Sequence, residues 1–161
     1  MLILGTTPWG GKYRSWSDLP ELFQLILCCF PYREAPERPA KENHPALVVG
    51  VLRDRDLPCW GLDVFFGTSS NLKLEERGNI DFIIQDAKAA QNMGLDRPTR
   101  FDVGRWIALP WCDDFFRQWR PFGELNAKYQ ESLIECLNRY QRNRGPKHVR
   151  YQPVPADRKW N

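Results

Sequence analysis

Three short apolar runs, each ended by a polar segment, constrain most strongly what this chain can fold into. The runs cover residues 25–30, 45–52 and 59–66. Pro31 ends the first run, a polar turn at 53–58 separates the second from the third, and Gly67 ends the third. Short apolar runs rich in β-branched and aromatic residues, placed between turn residues, predict buried strands rather than helices. The second and third runs therefore predict an antiparallel hairpin.

Single turn and capping residues refine these elements. Gly50 lies inside the second run, which predicts a bulge or a close backbone approach there. Asp86 is expected to cap the N-terminus of a short helix over residues 87–93, which ends at Gly94. Three further strands are predicted over residues 79–84, 99–103 and 106–109.

The period of the sequence changes near the end of the chain. Leu133, Ile134 and Leu137 are expected on one face of a helix over residues 126–142, and Gly145 with the following proline ends it. Many short strands followed by one helix predict a mainly β fold. The expected architecture is a small β-barrel or curled sheet capped by a C-terminal α-helix.

Length and composition fit one folded domain with two irregular ends. The chain has 161 residues, of which 42% are hydrophobic and 27% charged. Residues 1–20 are predicted to form an irregular N-terminal arm, with Trp9 and Trp16 packed on the body. Residues 21–144 are predicted to form the barrel domain, and residues 145–161 a basic tail.

The net charge of +3 conceals an asymmetry along the chain. Residues 1–137 carry 16 Lys and Arg against 19 Asp and Glu, whereas residues 138–161 carry 7 against 1. Basic residues there alternate with Tyr140 and Tyr151, which suits phosphate binding and base stacking. A solvated helix end with a frayed terminus is the alternative interpretation.

Other classes are disfavoured by the same composition. The longest run that no Gly, Pro or polar residue interrupts, residues 25–30, is far shorter than the roughly 20 residues of a membrane span. The N-terminus shows no secretory signal, so a cytoplasmic location without membrane contact is expected. Five cysteines without Cys-x-x-Cys spacing predict reduced thiols, and neither a metal site nor a cofactor is expected.

Several segments together resemble the PemK/MazF family of toxins over about residues 22–140. They are Phe30-Pro31-Tyr32, His44-Pro45-Ala46-Leu47-Val48-Val49, Gly67-Thr68-Ser69, Pro98-Thr99-Arg100-Phe101-Asp102 and the helix at 126–142. The resemblance implies an SH3-like β-barrel that usually forms a homodimer. It also implies a cytoplasmic toxin restrained by a cognate antitoxin protein.

The activity that the resemblance implies is metal-independent cleavage of single-stranded RNA by the ribose 2′-hydroxyl. Such a reaction needs a base, an acid and a cation or hydrogen-bond donor for the phosphoryl charge. The family uses an Arg before Pro and a Thr at the end of a strand. Thr68 matches the second, and His44 stands where the family has Arg. His44 and Thr68 are therefore the candidate catalytic residues, and they are expected to lie close together.

An imidazole differs from the guanidinium it would replace. It titrates near neutrality, so it can take or give a proton, and as a cation it can bind phosphate. It cannot copy the planar fork of a guanidinium. The alternative interpretation is that His44 only leads from a loop into a strand.

Further residues near the predicted loop ends are candidates for RNA contact. They are Arg33, Lys41, Arg53, Ser69, Ser70 and Arg100. Arg33 and Lys41 belong to a charged loop over residues 33–44, and such loops are often functional. The alternatives are a solvated rim for the cations and turn residues for the hydroxyls, which commonly bond their own backbone.

Two other functions remain open from the sequence. A non-catalytic module that kept the barrel and lost the family's Arg would act as a nucleic-acid or protein adaptor in phage or plasmid conflict. The irregular arm and the basic tail favour it. An unrelated SH3-like barrel would bind a peptide by strand addition at an open edge. Trp60 is expected in the third run, either stacking a base or packing in the core or a dimer interface.

Overall fold

The structure is a computed structural model that describes residues 5–32, 34–35, 37–53, 60–70, 72, 82–144 and 148–150. Its strands are β1 (Gln24–Cys28), β2 (His44–Arg53), β3 (Trp60–Thr68), β4 (Phe82–Ile84), β5 (Thr99–Pro110), β6 (Gly123–Glu124) and β7 (His148–Arg150). Its helices are α1 (Ala87–Asn92), α2 (Ala127–Arg144) and a 3-10 helix at Trp16–Asp18. In this part of the chain, neither α-helix has both the length and the apolar character of a membrane span.

The strands form one sheet in the order β4-β5-β3-β2-β1-β6, with antiparallel neighbours throughout. β7 lies within the segment predicted as a basic tail and pairs in parallel with β5. The sheet curls into a half-barrel that is followed by the C-terminal helix. This confirms the predicted fold class, a mainly β, barrel-like sheet with a terminal α-helix.

Both faces of the central strands are buried. Ile26, Val48 and Val64 point into one core, and their chain neighbours Leu25, Leu47 and Phe65 point into the other. The first core is completed by Tyr13, Trp111, Phe115 and Phe116, and the second by side chains of α1 and α2. Because both faces are covered, these strands read as continuous apolar runs instead of alternating ones.

The N-terminal arm covers the first core. Tyr13 forms a bridge with Cys112, and the indole of Trp111 donates a hydrogen bond to the Ser15 carbonyl at 3.2 Å. Trp9 packs edge-on against Phe115 with the ring centroids 5.1 Å apart, as expected. The expectation for Trp16 was wrong, because that side chain is 67% exposed on the 3-10 helix.

The bulge predicted at Gly50 is confirmed. The register of β2 against β3 shifts between Val48 and Gly50. A Cβ atom at Gly50 would lie 2.9 Å from an Asp63 carboxylate oxygen, so the close approach explains the glycine.

A single strand, β5, replaces the two short strands predicted over 99–103 and 106–109. Gly67 pairs with Phe101 and Phe65 pairs with Trp106, so residues 102–105 of β5 lie opposite one residue of β3. The extra residues are accommodated in an irregular bulge. The apolar pattern is interrupted there because the strand is distorted. A hydrophobicity pattern alone does not distinguish such a distortion from a break between two strands.

The helix predictions hold with one correction. Asp86 accepts a hydrogen bond from the Ala89 N–H at 2.7 Å, which confirms the predicted N-cap of α1. Leu133 of α2 is buried, but Ile134 is 47% exposed and Cys136 is buried instead. Residues three and four apart share a helix face, whereas adjacent residues do not, so Leu133 and Ile134 cannot both face the core.

Candidate functional site

A cleft of about 460 Å³ opens at the edge where β2 begins and β3 ends. Its lining comes from Leu27 of β1, His44 and Pro45 of β2, residues 68–70, residues 94–97, Thr99 and Phe122. The predicted residues His44, Thr68, Ser69 and Ser70 thus line one cleft.

Strand register explains why His44 and Thr68 meet. Ala46 pairs with Phe66, and the same register continued by one residue sets Pro45 opposite Gly67. A Cβ atom at Gly67 would lie 2.6 Å from the Pro45 carbonyl oxygen, in agreement with that register. The next position sets His44 opposite Thr68. Directly opposed residues in antiparallel strands have Cβ atoms about 5 Å apart.

The imidazole of His44 is half-buried and held from one side. Its ring lies against Phe66, with the centroids 4.9 Å apart and the planes tilted by 55°. Phe66 is itself supported by Phe30 at 5.1 Å. On the other side of the strand, His44 is paired with Cys28 of β1. These contacts limit the orientations of the ring, and His44 is among the residues that line the cleft.

The hydroxyl of Thr68 organises the turn that follows β3. The Ser70 N–H donates a hydrogen bond to Thr68 Oγ1 at 3.2 Å. This is a local turn contact of the kind that the alternative interpretation expected for these hydroxyls. A hydroxyl that accepts one hydrogen bond keeps its own hydrogen for another acceptor. Thr68 therefore has a donor to offer to a ligand in the cleft.

Arg100 lies behind this turn instead of on the surface. It pairs with Thr68 across β3 and β5, and only 5% of it is exposed. Its Nε donates to the Ser70 carbonyl at 3.4 Å. The structure thus makes Arg100 a support of the Thr68–Ser70 turn.

The other predicted RNA-binding cations lie elsewhere. Lys41 is exposed just before β2, where its backbone carbonyl accepts a hydrogen bond from Arg117 at 3.3 Å. Arg53 ends the ten-residue strand β2, about 30 Å along the strand from His44, with its guanidinium 5.6 Å from the Trp60 ring centroid. Arg33 lies outside the described residues. Trp60 packs against the first core, as one of its two interpretations expected.

A second wall of the cleft was not predicted from the sequence. It is the loop from Gly94 to Arg97, which places Asp96 and Arg97 in the lining of the cleft. Gly94 has a φ of 94°, and a Cβ on it would collide with the backbone of Phe122. Thr99 Oγ1 donates to the Arg97 carbonyl at 2.9 Å. The loop is therefore fixed at both ends.

A signal for this wall was present in the sequence. Asp96, Arg97 and Pro98 form a turn pattern between a predicted helix and a predicted strand. The pairing of Thr68 with Arg100 brings the start of β5 beside the end of β3. A local sequence pattern does not predict that β3 and β5 are antiparallel neighbours in the sheet, and this pairing is what places the loop at the cleft.

The cleft combines groups that transfer protons with groups that bind anions. Its described lining includes a histidine, an aspartate, an arginine and hydroxyl-bearing residues, beside Leu27, Leu95 and Phe122. Imidazole and carboxylate are general acids and bases, and guanidinium binds phosphate or carboxylate. Within the described residues, no group of three or more His, Cys, Asp or Glu is arranged to hold a metal ion.

Comparison with known proteins gives no match: no family model fits this chain, and no curated protein sequence matches it. The resemblance to PemK/MazF toxins therefore stays a prediction from the residues quoted above.

Proposed function

We propose that this protein is a metal-independent endoribonuclease that cleaves single-stranded RNA, as toxins of toxin–antitoxin systems do. One observation carries the proposal: His44 and Thr68, at the ends of two neighbouring strands, line the same cleft as Asp96. An acid, a base and a hydrogen-bond donor around one cleft are what transfer of a phosphoryl group to a ribose hydroxyl requires.

The proposed reaction needs no co-reactant. The Asp96 carboxylate takes the proton of the 2′-hydroxyl, O2′ attacks phosphorus, and the bond from phosphorus to O5′ breaks. His44, as imidazolium, gives its proton to O5′. The products are a 2′,3′-cyclic phosphate and a 5′-hydroxyl end, and exchange with water resets both side chains. Thr68 donates its hydroxyl hydrogen to a non-bridging phosphate oxygen.

The size of the cleft favours a single strand as substrate. About 460 Å³ is in the range of sites for small molecules, roughly 300–1,000 Å³, and suits a nucleotide turned out of a strand. Sequence-specific proteins commonly read RNA in this way, from unstacked bases against side chains. The apolar side chains of Leu27 and Phe122 offer a surface for such a base.

The first test is cleavage of a mixed-sequence single-stranded RNA in the presence of EDTA. His44→Gln, Asp96→Asn and Thr68→Ala are each expected to slow cleavage, the first two by 10²–10⁴-fold, which is the usual contribution of general acids and bases. Thr68→Ser keeps the hydroxyl and is the matched control, so it retains most of the activity. Loss of cleavage in EDTA, or variants as active as the parent chain, contradicts the proposal.

A substrate with sulfur in place of the bridging O5′ separates the two proton-transfer roles. A thiolate leaves without protonation, so the loss caused by His44→Gln is largely restored with this substrate. The loss caused by Asp96→Asn is not, because the 2′-hydroxyl still has to be deprotonated. Equal restoration of both variants, or of neither, contradicts the assigned roles.

The proposal includes the partners implied by the resemblance, a homodimer and a cognate antitoxin. Sedimentation of the purified chain measures the first, and growth arrest on expression of the parent chain but not of His44→Gln measures toxicity. RNA that is bound but remains intact with every substrate favours the non-catalytic adaptor instead.

A further inference from the structure

We propose that Arg97 is the phosphate-binding residue of the cleft. This inference rests on the proposed function, which leaves the charge of the scissile phosphate to be balanced. His44 serves that reaction as an acid, and an imidazole lacks the two-pronged donor geometry of a guanidinium. The structure brings Arg97 into the lining of the cleft, at the loop between α1 and β5.

The side chain of Arg97 is available for a ligand. It is exposed at the cleft, and it makes no ion pair with any residue that the structure describes. The backbone of Arg97 is fixed in two ways. Its carbonyl accepts a hydrogen bond from the Thr99 hydroxyl at 2.9 Å, and the following Pro98 restricts the φ and ψ angles of Arg97. A fixed backbone lowers the entropy that the loop loses on binding.

The neighbouring cations are placed for other tasks. Arg100 is buried and donates to the Ser70 carbonyl. Arg53 lies at the far end of β2, where it stacks on Trp60. Arg97 is the guanidinium that shares the described lining with His44 and Thr68.

The chemistry of the contact follows from the shape of the groups. A guanidinium donates two parallel hydrogen bonds to the non-bridging oxygens of a phosphodiester. Negative charge on those oxygens grows as O2′ attacks, so Arg97 stabilises the transition state more than the bound substrate. The phosphate is then held by Arg97 together with Thr68 and His44.

The binding arm of the test uses an uncleavable RNA in which every 2′-hydroxyl is replaced by 2′-methoxy. Arg97→Ala is expected to weaken its affinity by roughly tenfold to a hundredfold and to reduce the slope of log affinity against log salt by about 0.7. Arg97→Lys keeps the positive charge but lacks the planar pair of donors of a guanidinium, so it is expected to retain only part of the affinity. Lys128→Ala removes an exposed cation of α2 that is not part of the cleft lining and is the matched control, with little change.

The cleavage arm separates this inference from the proposed function. With saturating RNA, Arg97→Ala is expected to lower kcat by 10²–10³-fold, and Arg97→Lys by less. Cleavage that depends on His44 but is equally fast in Arg97→Ala and Lys128→Ala overturns the role of Arg97 and leaves the ribonuclease standing. Arg97-dependent binding by a chain that never cleaves RNA supports the phosphate site and refutes the ribonuclease. Circular dichroism of each variant identifies any that fails to fold, and Arg97→Gln then replaces it.

Discussion

The carbonyl oxygen of Pro45 lies directly against Gly67, where β2 begins and β3 ends. A Cβ atom at Gly67 would lie 2.6 Å from that oxygen and 2.8 Å from Cε1 of Phe101. Only a residue without a side chain fits between them. This contact fixes the approach of the two strands, and with it the juxtaposition of His44 and Thr68 in the cleft.

Gly67→Ala is expected to reduce the free energy of unfolding by about 1–3 kcal/mol, because the added methyl group must displace backbone or the Phe101 ring. It should also slow RNA cleavage, since the displacement moves Thr68 relative to His44. Urea denaturation measures the first effect. Gly5→Ala is the control, because its Cβ would meet nothing within 4 Å. Equal stability of the two variants contradicts the tight contact.

Arg100 is predicted to act through the turn and not through RNA. Replacing it by Met removes the hydrogen bond to the Ser70 carbonyl while keeping much of the apolar stem. We expect lower stability and slower cleavage, with the salt dependence of RNA affinity unchanged. A reduced salt slope, as expected for Arg97→Ala, would instead place Arg100 on the RNA.

The buried face of α2 is tested by two adjacent residues. Leu133→Ala is expected to cost about 2–5 kcal/mol of stability, because the side chain is fully buried and leaves a cavity. Ile134→Ala should change stability by no more than about 0.5 kcal/mol, because its side chain is largely exposed. Thermal or urea unfolding of both variants measures the difference, and a reversed order would place the opposite face of the helix against the sheet.

Stability is expected to fall in alkali through Cys28. Burial, followed by the nearby thiols of Cys29 and Cys112, raises the pKa of the Cys28 thiol well above its usual value. The folded chain therefore keeps a proton that the unfolded chain loses above a pKa of about 8.5. The stabilisation is complete below that pH and declines above it by up to about 1.4 kcal/mol per pH unit.

Unfolding free energies of the parent chain and of Cys28→Ala, measured between pH 7.5 and 9.5, test this dependence. The variant should show a shallower decline, whatever its stability at neutral pH. Parallel curves would show that other groups cause the alkaline loss.

Local features of the chain were determined by the sequence itself. Asp86 and Gly94 bound α1, Gly50 marks the bulge in β2, and the changed period marks α2. Each depends on a few neighbouring residues, through capping, backbone freedom or helical spacing, so each is readable without the fold. The curled sheet and the C-terminal helix were predicted from the number and order of such elements.

Which residues share the cleft depends on the fold of the whole chain. Arg53 and His44 belong to one strand but lie at its opposite ends, whereas Arg97 and His44 are far apart in sequence and line the same cleft. Whether Arg100 is exposed depends on how β3, β4 and β5 pack around it. Pairing of distant strands and burial of side chains involve the whole chain at once, and no local pattern specifies them.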